Sequence, residues 1–263
     1  MPDLTSVTTY LVLAAGFLSG ILASLIGVGG AIITTPFIRF LGATPIASVG
    51  STVPAILPGA LSGCLRYHRE GYIQWRIALT CGLSGMAFAA LGGWVAGEVD
   101  ARWLMVATAV LVLWSGTSLL RAAHQDSARQ GAHELVATIR DDPVMLIGLG
   151  IVAGFLAGLL GIGGGLVLTP GMTTLVRLPV KQAIATSLAA VAMMSITAMT
   201  THIALGHVDW RFALPLAVGI VPGAQVGAHL TVGASDRTMR LVCGGLLVAL
   251  AVVYLARELS GIL

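Results

Sequence analysis

Apolar residues in this chain come in long stretches broken by isolated charges, without the alternation of a strand or the narrow stripe of a soluble helix. Between successive Asp, Glu, Lys and Arg residues lie Leu4–Ile38 (35 residues), Phe40–Leu65 (26), Ile77–Gly97 (21), Trp103–Leu120 (18), Pro143–Val176 (34), Gln182–Val208 (27), Phe212–Ser235 (24) and Leu241–Ala256 (16). A bilayer span needs about 20 apolar residues, and 18 or more without charge already mark a helix. With 57% hydrophobic residues, 10% charged residues and a mean hydropathy of +0.95, against about 25% charged in soluble domains, no water-soluble core is expected. The pattern predicts an all-α integral membrane protein.

The second four runs repeat the first four. Gly20–Pro36, GILASLIGVGGAIITTP, aligns without a gap on Gly154–Pro170, GFLAGLLGIGGGLVLTP, with nine identities in seventeen. Pro45 then matches Pro179 and Thr52 matches Thr186, and after one inserted residue Gly71–Leu79 matches Gly206–Leu214. The organisation expected is a first transmembrane repeat over 1–121, a linker over 122–142 and a second repeat over 143–263. The linker is the one sizeable polar stretch, and a short interfacial helix is expected around His133–Ile139.

The first run of each copy is too short for two full spans and too long for one. Its glycine cluster divides it into a full helix, ending near Ile26 or Leu160, and a segment of about eleven residues worth only ~16 Å. Each copy therefore reads as a broken-helix hairpin, with its glycine tip inside the membrane, followed by three transmembrane helices. A hairpin that returns to the side it entered makes the two repeats inverted. Inversion places Arg39, Arg102, Arg211 and Arg257 on one side and the other ten Lys and Arg residues opposite, whereas parallel repeats divide them eight against six. The positive-inside rule favours inversion, with the linker in the cytoplasm and both termini outside.

The net charge of +3 does not point to nucleic acid, because its Lys and Arg residues sit singly in loops and form no basic stripe. With Asp3 and no Lys or Arg ahead of it, the N-terminal stretch reads as a retained first helix. Cys64, Cys81 and Cys243 lie inside apolar runs without metal-ligand spacing, and read as packing residues.

Candidate chemistry centres on the breaks, Gly27-Val28-Gly29-Gly30 and Gly161-Ile162-Gly163-Gly164-Gly165. Broken helices in inverted repeats build the midplane sites of secondary transporters. Glycine lets the chain reverse and brings its amides close to a ligand, and a half-helix N-terminus favours an anion. Most other glycines, including Gly16, Gly20, Gly92, Gly93, Gly244 and Gly245, read as helix-packing surfaces. Ser51, Thr52, Thr186 and Ser187, one turn into the third segment of each copy, either supply neutral donors to an oxyanion or bond to backbone carbonyls one turn back. Gln225 is the long amide deep in a charge-free run and a further contact candidate.

His202 and His207 flank a span end and read as solvated interface groups, and His229 lies inside a span as a candidate proton-sensitive group. No Asp or Glu falls inside a span, which argues against a buried carboxylate relay. Arg39 and Arg177, just after the short segments, fit either anion attraction or interface anchoring. An enzyme reading rests on Gly82-Leu83-Ser84-Gly85, which matches the GxSG pattern of rhomboid intramembrane proteases, with His229 as base; Ser84 aligns with Gly219 in the other copy, so the duplication does not carry it.

The paired tips with their Thr-Pro, the GxxxWR loops and the duplicated plan resemble the TauE/SafE family of sulfite and organosulfonate exporters. ASLIGVGGAIITTP and AGLLGIGGGLVLTP are the stretches that carry the resemblance. It implies a multi-pass protein of a prokaryotic cytoplasmic membrane moving sulfite, sulfonates or small carboxylates, with no organic cofactor and no metal. An anion or small-solute channel is the alternative, but it needs a continuous polar lining, whereas midplane tips point to alternating access. Ala31 stands where the second copy has Gly165, which predicts a less crowded first tip.

Overall fold

In the computed structural model, which describes residues 6–99, 101–129 and 141–260, every regular element is a helix. In chain order these are α1 (Ser6–Ile26), α2 (Ala31–Phe40), α3 (Pro45–Arg69), α4 (Trp75–Ala96), α5 (Ala101–Arg129), α6 (Pro143–Leu160), α7 (Gly165–Thr174), α8 (Val180–Ala204), α9 (Trp210–Gly233) and α10 (Asp236–Ser260). The long-short-long-long-long order expected of each copy is present, with half helices of 10 residues. Helix α5 runs on to Arg129, past the expected repeat boundary at 121, and the helix expected at His133–Ile139 lies outside the described residues.

Helix starts follow ordinary capping chemistry. Asp142 accepts from the Val144 amide at 3.0 Å with Pro143 at the first helical position, and Asp209 accepts from the Arg211 amide at 3.0 Å. Each satisfies an amide the helix cannot.

Among the described residues, six helices (α1, α3, α4, α6, α8 and α9) are long and apolar enough to cross a bilayer. Eight full-length helices are expected from the sequence, two of them the long arms of the hairpins. α5 and α10 carry charge-free stretches of 18 and 16 residues, and these two helices pack on each other. Trp75, Trp94, Trp103 and Trp210 stand exposed near helix ends, where indole rings favour the membrane interface.

The helix pairings come in matched sets. α1 packs on α9 as α6 packs on α4, α3 on α9 as α8 on α4, and α2 on α3 as α7 on α8, while α3 meets α8. Exchanging α1–α5 for α6–α10 maps these pairings onto themselves. α3 and α8 are central, with 67% and 72% of their spans buried against 44% for α4, α6 and α9.

Glycine makes the close crossings. A Cβ on Gly16 would lie 2.7 Å from the Leu216 carbonyl oxygen, and Cβ atoms on Gly20 and Gly92 would collide with the carbonyls of Ile220 and Phe155. These helices touch backbone to backbone, as small residues allow in membranes. Gly93 faces Thr201 and His202, and Gly244 faces Leu120 and the Gly116 carbonyl. Gly245, expected to be a packing glycine, instead faces open space with nothing within 4 Å.

Candidate functional site

Both breaks fall at the centre of the bundle, and all nine residues of the two tips are buried. Gly27, Gly29 and Gly30 hold φ of 78°, 92° and 95°, and Gly161, Gly163 and Gly164 hold 65°, 90° and 73°. Residues with a Cβ rarely adopt this region, so six glycines at six such positions is a backbone requirement. Gly30 and Gly164 are the N-caps of α2 and α7. Among the described residues no protein group takes the amide N–H of Gly29, Gly30, Gly163 or Gly164. Four buried donors are therefore left for something else, since buried amides are almost always paired.

The tips meet each other. A Cβ on Gly163 would sit 3.0 Å from the Val28 carbonyl, and one on Gly29 would sit 3.5 Å from the Ile162 carbonyl. Ile56 of α3 and Val191 of α8 close over both, each with a methyl 2.9–3.3 Å from the two would-be Cβ positions.

Hydroxyls from α3 and α8 hold the tips from the opposite copy. Ser187 Oγ lies 3.0 Å from the Gly27 carbonyl and 2.9 Å from Thr169 Oγ1, and Thr169 donates to the Ile26 carbonyl at 3.0 Å. The mirrored set is longer, with Thr52 Oγ1 3.5 Å from the Gly161 carbonyl and 3.5 Å from Thr35 Oγ1. Thr52 and Ser187 also bond one turn back, to Val49 and Ile184 at 2.8 and 2.9 Å, so both readings of these hydroxyls have bonds in the structure. Ser51 and Thr186 do other work: they accept the amides of Asp209 and Gln74 at 2.8 and 3.0 Å, anchoring the α8–α9 and α3–α4 turns.

These bonds also fix the register between the copies. Thr52 does what Ser187 does and Ser51 what Thr186 does, so the inserted residue precedes Ser51. It lies in the turn between α7 and α8, where Arg177 holds a φ of 64°, and the Thr52–Thr186 match read from sequence is one residue out of register.

A Cβ on Gly165 would collide with the Gly27 carbonyl oxygen, and Ala31 at the matching place is buried. Crowding at Gly30 is nevertheless no less than at Gly163, because its Cβ would lie 2.7 Å from Ser19 Oγ, and Ser19 donates to the Gly30 carbonyl. The expectation of a roomier first tip fails there.

Gln225 is not brought to the tips by any bond. Its Nε2 donates to the carbonyl and hydroxyl of Ser62 at 2.7 and 3.0 Å, tying α9 to α3. His229 is exposed on α9, and Ser84 bonds to the Cys81 carbonyl of its own helix at 3.1 Å.

His202 differs from expectation. It is fully buried, with Gly93 of α4 against the ring, where a Cβ would lie 3.5 Å from Nε2, and with the Gly158 carbonyl of α6 3.1 Å from Nε2. His207 is half-buried, which lowers its proton affinity. The Arg211 side chain, hydrogen-bonded to Asp209 at 2.9 and 3.1 Å, holds that carboxyl below its ordinary range against a smaller opposing effect of burial.

The profile of the sulfite exporter TauE/SafE family matches residues 12–254. Among curated relatives, the probable membrane transporter protein YunE of Bacillus subtilis is 27% identical over 86% of this chain and 90% of its own length. A probable membrane transporter protein of Xylella fastidiosa is 28% identical over 94% of both chains, and one of Methanocaldococcus jannaschii is 24% identical over 90% of this chain and 91% of its own. No solved structure matches at a significant level.

Proposed function

This chain belongs to the sulfite exporter TauE/SafE family, and on that premise we propose that it is a secondary transporter for a small anion, held between the two glycine tips at the membrane midplane and moved by alternating access. It is a multi-pass protein of the prokaryotic cytoplasmic membrane, as its six long apolar helices and its membrane-transporter relatives require.

The observation that carries the proposal is the pair of crossed tips with four buried, unspent amide donors, each tip opening a half helix. Unwound backbone survives at membrane depth only where protein or a water-filled cavity satisfies it. An anion supplies acceptors for those amides and meets the positive ends of two helix dipoles. Sulfite is the first substrate to consider, with organosulfonates and small carboxylates next, since each offers several acceptor oxygens in a small volume.

The repeats are inverted in this proposal, with the N-terminus outside, the linker over 122–142 cytoplasmic, and the matched sets α1, α2, α3, α9 and α6, α7, α8, α4 forming the two sides of the rocking unit, which meet where α3 packs on α8. The methyls of Ile56 and Val191, closed over Gly29 and Gly163, support occlusion over an open pore. The test is flux by purified protein in liposomes loaded with sulfite, a sulfonate or a small carboxylate, under imposed pH gradients. Saturable flux with competition between anions supports a transporter; flux that rises linearly with concentration supports a channel; no flux of any of them defeats the anion reading.

A further inference from the structure

An imidazole pair at one end of the bundle, one ring fully buried and the other half-buried, has no imidazole counterpart at the matching places of the other copy. His202, near the C-terminus of α8, sits with its Nδ1 3.2 Å from the Nδ1 of His207 in the α8–α9 turn. Its Nε2 is 3.1 Å from the Gly158 carbonyl of α6. In the other copy the same two places are Tyr67 and Tyr72: Tyr67 is fully buried and donates to the Ser24 carbonyl at 2.6 Å, and the Tyr72 amide donates to the Tyr67 carbonyl at 3.1 Å as the His207 amide does to His202 at 3.0 Å. Duplication thus preserved the architecture and exchanged two phenols, silent near neutral pH, for two imidazoles that titrate there.

The bonds fix the tautomers of the neutral pair. A carbonyl only accepts, so His202 carries its proton on Nε2 and presents a bare Nδ1 to His207. His207 must then donate from Nδ1. A first added proton enters at His207 Nε2, which lies beside Gly97 at the half-exposed edge of the pair, and leaves the Nδ1–H···Nδ1 bond intact as a charge-assisted one. A second proton would have to go to His202 Nδ1, where it would face another N–H and break the bond.

We propose that His202 and His207 form a proton-binding site, which takes up one proton at His207 Nε2 while the Nδ1–H···Nδ1 bond is kept, and through which transport senses pH on the face where the α8–α9 turn emerges. This rests on the transporter reading above and supplies its coupling ion. Few other ionisable groups lie near. α6 contains no Asp, Glu, Lys, Arg or His, α3, α4 and α8 carry theirs at the opposite end apart from the pair itself, Glu98 follows Gly97 after α4, and Asp209 and Arg211 at the start of α9 are paired with each other at 2.9 Å. At the matching place in the other copy, Lys181 Nζ lies 5.9 Å from the Tyr72 ring centroid.

The pair is wired to the second tip by two routes. Gly158, which accepts from His202, lies three residues before the tip glycine Gly161. The backbone of His207 rests directly on Gly50, and two residues on the Asp209 amide donates to Ser51 at 2.8 Å, next to the Thr52 that faces the Gly161 carbonyl. Gaining a proton therefore changes the grip of the α8–α9 turn on α3 and α6 together, the helices that frame the tips.

The experiment uses the full chain labelled with 15N-histidine in lipid bilayers, read by solid-state NMR between pH 8 and 5, alongside thermal unfolding over the same range. At pH 8, His202 should report an Nε2–H tautomer and His207 an Nδ1–H tautomer with an N–H···N coupling between them, and acidification should load one proton while the coupling persists. His202→Tyr, which copies the other repeat and keeps a donor to the Gly158 carbonyl, should fold and flatten the pH dependence of unfolding. In liposomes, any pH dependence of sulfite flux, at most about tenfold per pH unit for one proton, should be lost with it. Where His202→Tyr fails to fold, His207→Gln removes the outer imidazole and should abolish the coupling signal. Independent titration of the two rings, a missing N–H···N coupling, or an unchanged pH profile in a folded variant overturns the proposal. The NMR result stands apart from substrate identity: a coupled pair that takes up one proton, with no flux of any anion, leaves this site and defeats the anion reading instead.

Discussion

Ser187 Oγ stands 3.0 Å from the carbonyl oxygen of Gly27, 160 residues earlier in the chain. With Thr169 it forms a clamp in which two hydroxyl protons serve three carbonyls, those of Ile26, Gly27 and Ile184. The corresponding clamp on Gly161 is made by Thr52 at 3.5 Å, beyond the usual hydrogen-bond range. The two tips are thus held unequally by equivalent residues.

Ser187→Ala should therefore destabilise the protein by about 1–3 kcal/mol, the cost of leaving a buried acceptor unpaired, and should weaken substrate binding. Thr52→Val removes a weaker cross-copy bond and should cost less. Thermal unfolding in detergent ranks the two, and a larger loss in Thr52→Val would mean that the clamp on Gly27 does not hold the first tip.

Topology is open to labelling in a background lacking Cys64, Cys81 and Cys243, all of them buried. Arg69→Cys, at the exposed end of α3, and Leu205→Cys, exposed after α8, should react with an impermeant maleimide from opposite faces, the first only from the cytoplasm. Labelling of both from one face would remove the inverted arrangement.

Asp209 caps α9 and pairs with Arg211. Its folded proton affinity is depressed, so its contribution to stability is complete above the ordinary aspartate value of about 3.9 and is lost as pH falls through the lower folded value. Asp209→Ala should cost about 1 kcal/mol at pH 7 through the lost cap, while Asp209→Asn keeps the cap and should cost less. Neither should change substrate affinity if the site needs no carboxylate. Calorimetry from pH 7 down through about 3.9 to the acid limit of folding and a binding assay check both statements, and lost affinity in a folded Asp209→Asn protein contradicts the second.

The bundle and its breaks were legible because they follow from length alone: a 35-residue charge-free run cannot hold two spans and must be broken where the glycines stand. Register and burial were less so. Thr52 matches Thr186 by residue type, but a hydroxyl follows or precedes each of them, and only the bonds to Gly27 and Gly161 reveal the one-residue slip. His202 looked like an interface residue because it ends a span; its burial depends on Gly93 of α4 and on the Gly158 carbonyl of α6, on two other helices. Gly244 and Gly245 are indistinguishable as letters, and the direction each faces on α10 separates a packing position from an open one.

The glycine tips provide the most direct test of the site. Gly164→Val places a branched side chain at a φ of 73° with its Cβ 2.7 Å from the Ala153 carbonyl, which displaces the N-cap of α7 and the amides beside it. Gly29→Ala is gentler in space, since its Cβ meets side-chain methyls of Ile56 and Val191 at 2.9 and 3.2 Å, yet a φ of 92° still costs of order 1–3 kcal/mol for a residue with a Cβ. Both should lower anion affinity by more than their loss of thermal stability accounts for, and adding Ile56→Ala to Gly29→Ala should relieve the crowding without restoring affinity, because the backbone strain remains. Gly244→Ala is the control: its Cβ meets Leu120 at 2.8 Å and the Gly116 carbonyl at 3.0 Å, in the α5–α10 pairing, so it should lower the unfolding temperature and leave affinity unchanged. Isothermal titration with sulfite, paired with unfolding in the same detergent, separates these outcomes. A folded Gly164→Val protein that binds as tightly as the parent would remove the anion from the tips and make their glycines a device for packing one half helix against the other.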